Sequence, residues 1–329
     1  KVIIFLITLA KKLMKEFTLN SPARIHLGFL ELDPTADRIF GSLGLTISNF
    51  QTIIKVNDSR KFVIDGSHEK EIMRVIVKFK KLFTIKACRL SVLNSIPPHS
   101  GLGSGTQLSL NVGTILTKFS NLNLSTEDIA KILNRGKRSG VGIGSFKRGG
   151  FIVDGGKPRK SKNIPTVIFN SKWPKNWKII LLFDSKITGI HGEKEIKEFK
   201  RITNIRKKFS KENCQAILLK IIPSLIEKDF HNFCEGIQKI QENTAEVFFK
   251  SQGGKYASKK IEKIFNFLKR NGYMGYGQSS WGPTGFIFCE NSQSQKKSFN
   301  FIENYIKNNF IKGIEMVMVE GRNKGLIIT

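Results

Sequence analysis

Between residues 16 and 33 apolar side chains recur at short spacing. Ile25, Leu27 and Phe29 share one face and Arg24, His26 and Gly28 the other, the alternation of a strand. Residues 43–56 read as further strands with a turn near Ser48–Asn49. Over 69–83 the period lengthens: Ile72, Val75, Ile76 and Phe79 fall three and four apart, which predicts a helix. A strand over 87–96 runs into Pro97–Pro98. The next helix starts between residues 104 and 106 and ends near Phe119, with Leu108, Val112, Ile115, Leu116 and Phe119 on one face. Another follows Ser125, whose spacing to Asp128 is that of a capping box.

Residues 151–154 and 177–183 read as strands, and the basic, proline-containing stretch 157–163 as a loop. Helical patterns then occupy 193–209, 213–222 and 225–249, followed by a strand at 285–289, a helix at 299–309 and closing strands at 314–319 and 326–329. Strands and helices mix in both halves without strict βαβ alternation. That predicts an α+β architecture rather than a doubly wound sheet.

With 329 residues, two domains are expected. The formal charge of +29 has three readings. It reflects a composition rich in Lys, Ile, Asn and Phe, with lysines such as Lys194, Lys197 and Lys200 on solvated helix faces; or it attracts a phosphorylated small molecule; or it binds nucleic acid. Cys88, Cys214, Cys234 and Cys289 form no CxxC pair, so free thiols in a reducing compartment are expected. The apolar run Val2–Ala10 falls short of the roughly 20 residues a membrane span needs and lacks a cleavage-site pattern. Residues 1–13 are therefore expected to be an extension outside the folded pattern, in a cytoplasmic protein.

The strongest chemical signal is Pro97-Pro98-His99-Ser100-Gly101-Leu102-Gly103-Ser104-Gly105-Thr106-Gln107, between a strand and an amphipathic helix. Glycines let backbone approach a ligand, and a helix start offers unpaired N–H groups, so together they suit a phosphate. No Gly-Lys-Ser/Thr follows, and the third glycine is misplaced for a dinucleotide fingerprint. Arg135, Lys137, Arg138, Lys147 and Arg148 form a cationic stretch interleaved with glycines, which is either an anion grip or a solvated loop.

This loop resembles the phosphate loop of the GHMP kinases. Ser21–Gly28 is similar to that family's N-terminal motif and Gly275–Gly285 to its C-terminal glycine motif. The kinases carry Pro-Ser-Gly-x-Asp after the second helix, and its aspartate is the usual base. Here Arg138 replaces the proline, Gly142 stands at the aspartate and Arg24 at an N-terminal lysine. These departures resemble one branch, the β-ribofuranosylaminobenzene 5′-phosphate synthases, through Ala23–Leu30, Arg135–Gly156, the Gly-Ser-Gly-Thr-Gln variant of the loop and Gly277–Thr284.

The resemblance implies a two-domain GHMP fold. A phosphate-binding domain over 14–190, like the second domain of ribosomal protein S5, would precede a ferredoxin-like domain over 191–329, with the site between them. It implies decarboxylating transfer of phosphoribose from phosphoribosyl diphosphate to 4-aminobenzoate or 4-hydroxybenzoate, in tetrahydromethanopterin-type cofactor synthesis. The alternative is an ATP-dependent small-molecule kinase. Mg2+ is expected, ATP consumption is not, a homodimer is expected, and neither membrane nor nucleic acid is an expected partner.

The candidate catalytic residues are Arg24, His26, Arg138 and His191. The candidate phosphate and substrate contacts are Pro98, His99, Gly101, Gly103, Ser104, Gly105, Thr106, Gln107, Arg135, Ser139, Arg148, Gln278, Ser279 and Ser280. Metal ligands stay unassigned, with Asp154 and Glu193 as the acids to check. Asp154 or Asp184 is a candidate replacement base, the stretch 188–193 a candidate closing segment, and Trp281 a candidate cover for the aromatic acid.

Overall fold

The computed structural model describes residues 16–187, 207–280 and 282–329. The two long strands β1 (Glu16–Glu31) and β2 (Arg38–Asp58) form an antiparallel ribbon. The expected turn at Ser48–Asn49 is a kink inside β2: Asn49 takes a left-handed φ of 72° and the register shifts, while pairing with β1 continues. β3 (Val63–Asp65) lies parallel to β4 (Cys88–Asn94), which pairs with β2. Between them in sequence lies α1 (Glu69–Lys80); α2 (Ser104–Phe119), α3 (Thr126–Ile132) and α4 (Val141–Lys147) follow β4. β5 (Phe151–Asp154), β6 (Lys157–Pro158) and β7 (Val167–Ser171) extend the sheet around β2.

Ile72, Ile76 and Phe79 of α1 pack with Leu110, Ile115 and Leu116 of α2 over Leu19, Ile54, Val56 and Leu90 of the sheet. Ser125 makes the capping box its spacing implies, accepting from the Asp128 N–H at 3.1 Å.

A second sheet is built from β8 (Lys178–Asp184), β9 (Tyr276–Gln278), β10 (Gly285–Cys289) and β11 (Ile314–Glu320), in the order β11-β8-β10-β9 and antiparallel throughout. On one side lie α8 (Lys259–Arg270) and α9 (Ser292–Asn308). On the other are α5 (Lys207–Ala216), a π-type turn (Ile217–Ile221), α6 (Ile222–Glu227) and α7 (Phe230–Gln252). A last strand, β12 (Ile327–Ile328), returns to pair with β1. Among the described residues no helix is long and apolar enough to cross a membrane.

Helices α4 and α8 are additional to the sequence reading. All four core contacts of α8 (Ile261, Ile264, Phe265 and Leu268) fall at helical spacing, whereas the glycines of α4 mask its period. β8 precedes residue 190 yet hydrogen-bonds in the second sheet, because its run Ile179–Leu182 is buried on both faces and needs strands on either side. Residue 190 itself lies outside the described residues, as do residues 1–13.

One core joins the halves. Ile25 and Leu27 of β1, Leu43 and Leu45 of β2 and Phe151 pack with Trp173, Trp177, Phe233, Phe286 and Phe288. The ring of Phe233 lies 5.4 Å from that of Trp173 and 5.0 Å from that of Trp177. β1 runs through this junction with a bulge between His26 and Gly28 that takes Leu27 out of the ladder. Its freed carbonyl accepts from Gln241 Nε2 of α7 at 2.7 Å. Asn213 Nδ2 of α5 bonds the Phe29 carbonyl at 2.9 Å. Gly28 has φ 134°, and a Cβ there would stand 2.4 Å from Ile240 Cγ2 of α7. Gly28→Ala is expected to destabilise the protein by about 2–4 kcal/mol, read as a lower urea midpoint.

Candidate active site

The three motifs that the sequence keeps far apart meet at one carbonyl. The oxygen of Gly101 accepts from the Arg24 guanidinium and, at 2.8 Å, from Ser279 Oγ. Ser279 Oγ in turn accepts from the His26 backbone N–H at 3.0 Å. The Arg24 N–H bonds the Leu102 carbonyl at 3.0 Å, and Thr284 Oγ1 donates to the Ser100 carbonyl at 2.7 Å. Glycine is needed where the loops touch backbone to backbone: a Cβ on Gly101 would stand 2.5 Å from the Ser279 carbonyl oxygen. Gly101 and Gly103 have φ 82° and 89°, which only glycine adopts without strain.

Helix α2 starts at this loop. Gly103 caps it without a side-chain hydrogen bond, and its first turn holds no acid. The positive end of its dipole therefore stands beside the cations that follow. Arg135 lies over the first turn, with Nη1 3.5 Å from the place a Gly105 Cβ would occupy and Nε bonding Ser109 Oγ at 3.1 Å. Burial pushes the Arg135 pKa down, as desolvation does to any cation.

His26 is 3% exposed, and neither ring nitrogen has a hydrogen-bond partner among the described residues. Burial, and then the nearby charges of Arg24 and Arg138, hold its pKa down at about 3. At neutral pH it is an uncharged imidazole beside two guanidinium groups.

The pattern matched by the GHMP kinases N terminal domain covers residues 70–147, and that of the GHMP kinases C terminal covers 221–308. The chain belongs to the GHMP kinase superfamily. It is 29% identical over 325 residues to the beta-ribofuranosylphenol 5′-phosphate synthase of Archaeoglobus fulgidus, covering 94% of this chain and 98% of that protein. To the synthase of the same name from Methanocaldococcus jannaschii it is 29% identical over 314 residues, 87% of this chain and 94% of that one. The fold is similar to homoserine kinase from Cytophaga hutchinsonii, with a TM-score of 0.65 at 12% identity, covering 96% of this chain and 98% of that one. Mevalonate-3-kinase from Thermoplasma acidophilum gives 0.63 at 15%, with the same coverage.

Within this GHMP fold, Gly142 lies against the first turn of α2: a Cβ there would be 3.3 Å from Thr106 Cγ2. The position read as that of the kinase aspartate thus faces the phosphate loop without a carboxylate. Asp154 does not fill the gap. Its buried oxygens accept from Ser42 Oγ, from Gly140 N at 2.8 Å and from Gly156 N at 3.0 Å, and burial raises its pKa. Those bonds shape the turn before α4 and engage both carboxylate oxygens. Asp184 is held in the second sheet by Ser258 Oγ at 2.7 Å and Lys260 Nζ at 3.2 Å.

The remaining candidates separate by position. Pro98 and His99 are on the exposed rim of the loop, Gly105 is exposed, and Ser104 and Thr106 are half-buried. Gln107 is buried and donates to the Gly142 carbonyl at 2.9 Å. Ser139 Oγ shares a hydrogen bond with Ser42 Oγ at 2.6 Å and accepts from Val141 N at 3.2 Å. Arg148 is exposed at the far end of α4, beside Gly325, and Lys147 pairs with Glu127 at 2.8 Å. The Gln278 amide bonds Gln252 and the Ser280 carbonyl, and accepts from Ala257 N at 2.6 Å. Ser280 N donates to the His26 carbonyl at 3.3 Å. His191, Glu193 and Trp281 lie outside the described residues, with the stretch 188–193. Ser109, absent from the sequence reading, supports Arg135; its spacing of four from Gly105 was the available signal.

A histidine buried neutral binds fewer protons than the unfolded chain below its ordinary pKa of about 6.5. Its contribution is fully present above that pH and is lost as pH falls toward 3. Between pH 7 and pH 5 the stability loss should be smaller in His26→Asn than in the parent, by about 2 kcal/mol, in paired urea titrations.

Proposed function

We propose that the protein is a decarboxylating phosphoribosyl transferase, joining phosphoribosyl diphosphate to 4-hydroxybenzoate or 4-aminobenzoate. One observation carries the reading. A phosphate loop is flanked by Arg24 and Arg135, with Arg138 near neutral His26, while Gly142 stands where a phosphotransfer base would be. Similarity to proteins named beta-ribofuranosylphenol 5′-phosphate synthase supports it and favours 4-hydroxybenzoate, whose product would be a phenol.

Breaking the C1–O bond of the donor sends its electron pair onto diphosphate and leaves an oxocarbenium-like ribose. The N–H groups at the start of α2 and the arginines are placed to hold that growing negative charge. The ring carbon bearing the carboxylate then supplies a π pair to C1. Loss of carbon dioxide returns the pair of the broken carbon–carboxylate bond to the ring. Atoms and electrons balance without ATP.

Among the described residues no three His, Cys, Asp or Glu side chains gather as a metal site. Asp154, the acid nearest the turn, has its oxygens engaged and does not fit that role. Mg2+ therefore enters the proposal as a companion of the diphosphate, part of the substrate. The reading extends to a cytoplasmic homodimer making a C-riboside for a tetrahydromethanopterin-type cofactor.

Purified protein given phosphoribosyl diphosphate, Mg2+ and each acid in turn is expected to release diphosphate and carbon dioxide only when both substrates are present. Arg138→Ala should lower kcat/KM by about 100-fold or more. A folded sample that releases neither product, and instead moves the γ-phosphate of ATP to a small alcohol, would establish the kinase alternative.

A further inference from the structure

We propose that the ring of the aryl acid is received where β1 meets α7, with His26 and Thr244 addressing its para substituent and Phe29 and Phe248 forming its aromatic wall. This rests on the transferase reading. Buried polar atoms in proteins are nearly always hydrogen-bonded. Among the described residues, those buried without a partner include Nδ1 and Nε2 of His26 on β1 and Oγ1 of Thr244 on α7. Gly28 brings their elements together, since a Cβ on it would lie 3.2 Å from Thr244 Oγ1. His26 stands two residues earlier on the same strand.

Aromatic surface surrounds them. The His26 and Phe29 rings are 4.6 Å apart, and Phe29 meets Phe248 edge-on at 6.2 Å. Phe248 is one helical turn beyond Thr244 on α7. Apolar rings with a few convergent polar atoms are what a small aromatic ligand requires.

The hydrogen-bonding capacities also match. A phenol hydroxyl donates one hydrogen bond and accepts others. A neutral imidazole offers one acceptor and one donor, and a threonine hydroxyl offers both. Arg24 and Arg138 face His26 and disfavour its protonation, so it keeps an acceptor nitrogen. An imidazole accepting the phenolic hydrogen would increase electron release from the oxygen into the ring. The carbon para to that oxygen is the one that bonds C1 and loses carbon dioxide. The proton stays with the phenol, so no further reactant is required.

The test is calorimetric binding of 4-hydroxybenzoate and of unsubstituted benzoate to the full chain, alongside steady-state kinetics, for the parent, Thr244→Val and His26→Gln. Thr244→Val is expected to weaken 4-hydroxybenzoate binding and raise its KM about tenfold. Benzoate binding and the KM for phosphoribosyl diphosphate should stay within about twofold. His26→Gln, which keeps one donor and one acceptor, should lower kcat more than it raises that KM. Thermal midpoints establish folding; if His26→Gln does not fold, Thr244→Val alone decides the matter. Turnover with 4-hydroxybenzoate binding unchanged in Thr244→Val, or with both substrates' KM values raised alike, would overturn the subsite and leave the transferase standing. Thr244-dependent binding without carbon dioxide release would sustain the subsite and remove the transferase.

Discussion

The carbonyl of Gly101 is the point on which the site depends. It accepts from a guanidinium on β1 and from a hydroxyl on the β9–β10 loop, so the phosphate loop is fixed by both halves of the molecule at once. Gly101 and Gly282 allow the two loops to approach at backbone distance, and Ser279 passes the connection on to the His26 N–H. Loop, strand and glycine motif thus form one unit. The direction in which α2 points its N–H groups follows from that unit rather than from any single segment.

Cations near the loop repel one another, and two groups there hold their protons less tightly than they would in water. Burial pushes the Arg135 pKa down while its Nε donates to Ser109 Oγ, and burial, then the nearby arginines, keep His26 neutral. Asp154 is engaged in shaping the Ser139–Gly140 turn.

Much of this was legible in the chain. The alternation around Ile25, Leu27 and Phe29 marked β1, and the Gly101–Gly105 run with its following amphipathic stretch marked the loop and α2. The departures at Arg138 and Gly142 separated the chain from its kinase relatives before any coordinates. What stayed hidden depends on distance in sequence. The pairing of β8 with β10 and β11 leaves no local trace, because a fully buried strand looks alike in either sheet. The kink at Asn49 reads as a turn, since residues that favour left-handed φ favour both. Thr244 was invisible because a threonine amid a helical pattern carries no mark of what faces it.

β12 has a bearing on how the chain acquires its structure. Leu19 pairs with Ile328, and Thr18 exchanges hydrogen bonds with Thr329 at 2.7 and 3.0 Å. The edge of the strand that carries Arg24 and His26 is thus closed by residues synthesised long after it, from the far side of the second sheet in sequence. Until then β1 presents open backbone groups, the kind of edge that recruits other chains. Such long-range closure is slow. Nascent protein should therefore pass through an interval in which the first sheet is assembled, the phosphate loop lacks its Ser279 clamp, and chaperone protection matters most.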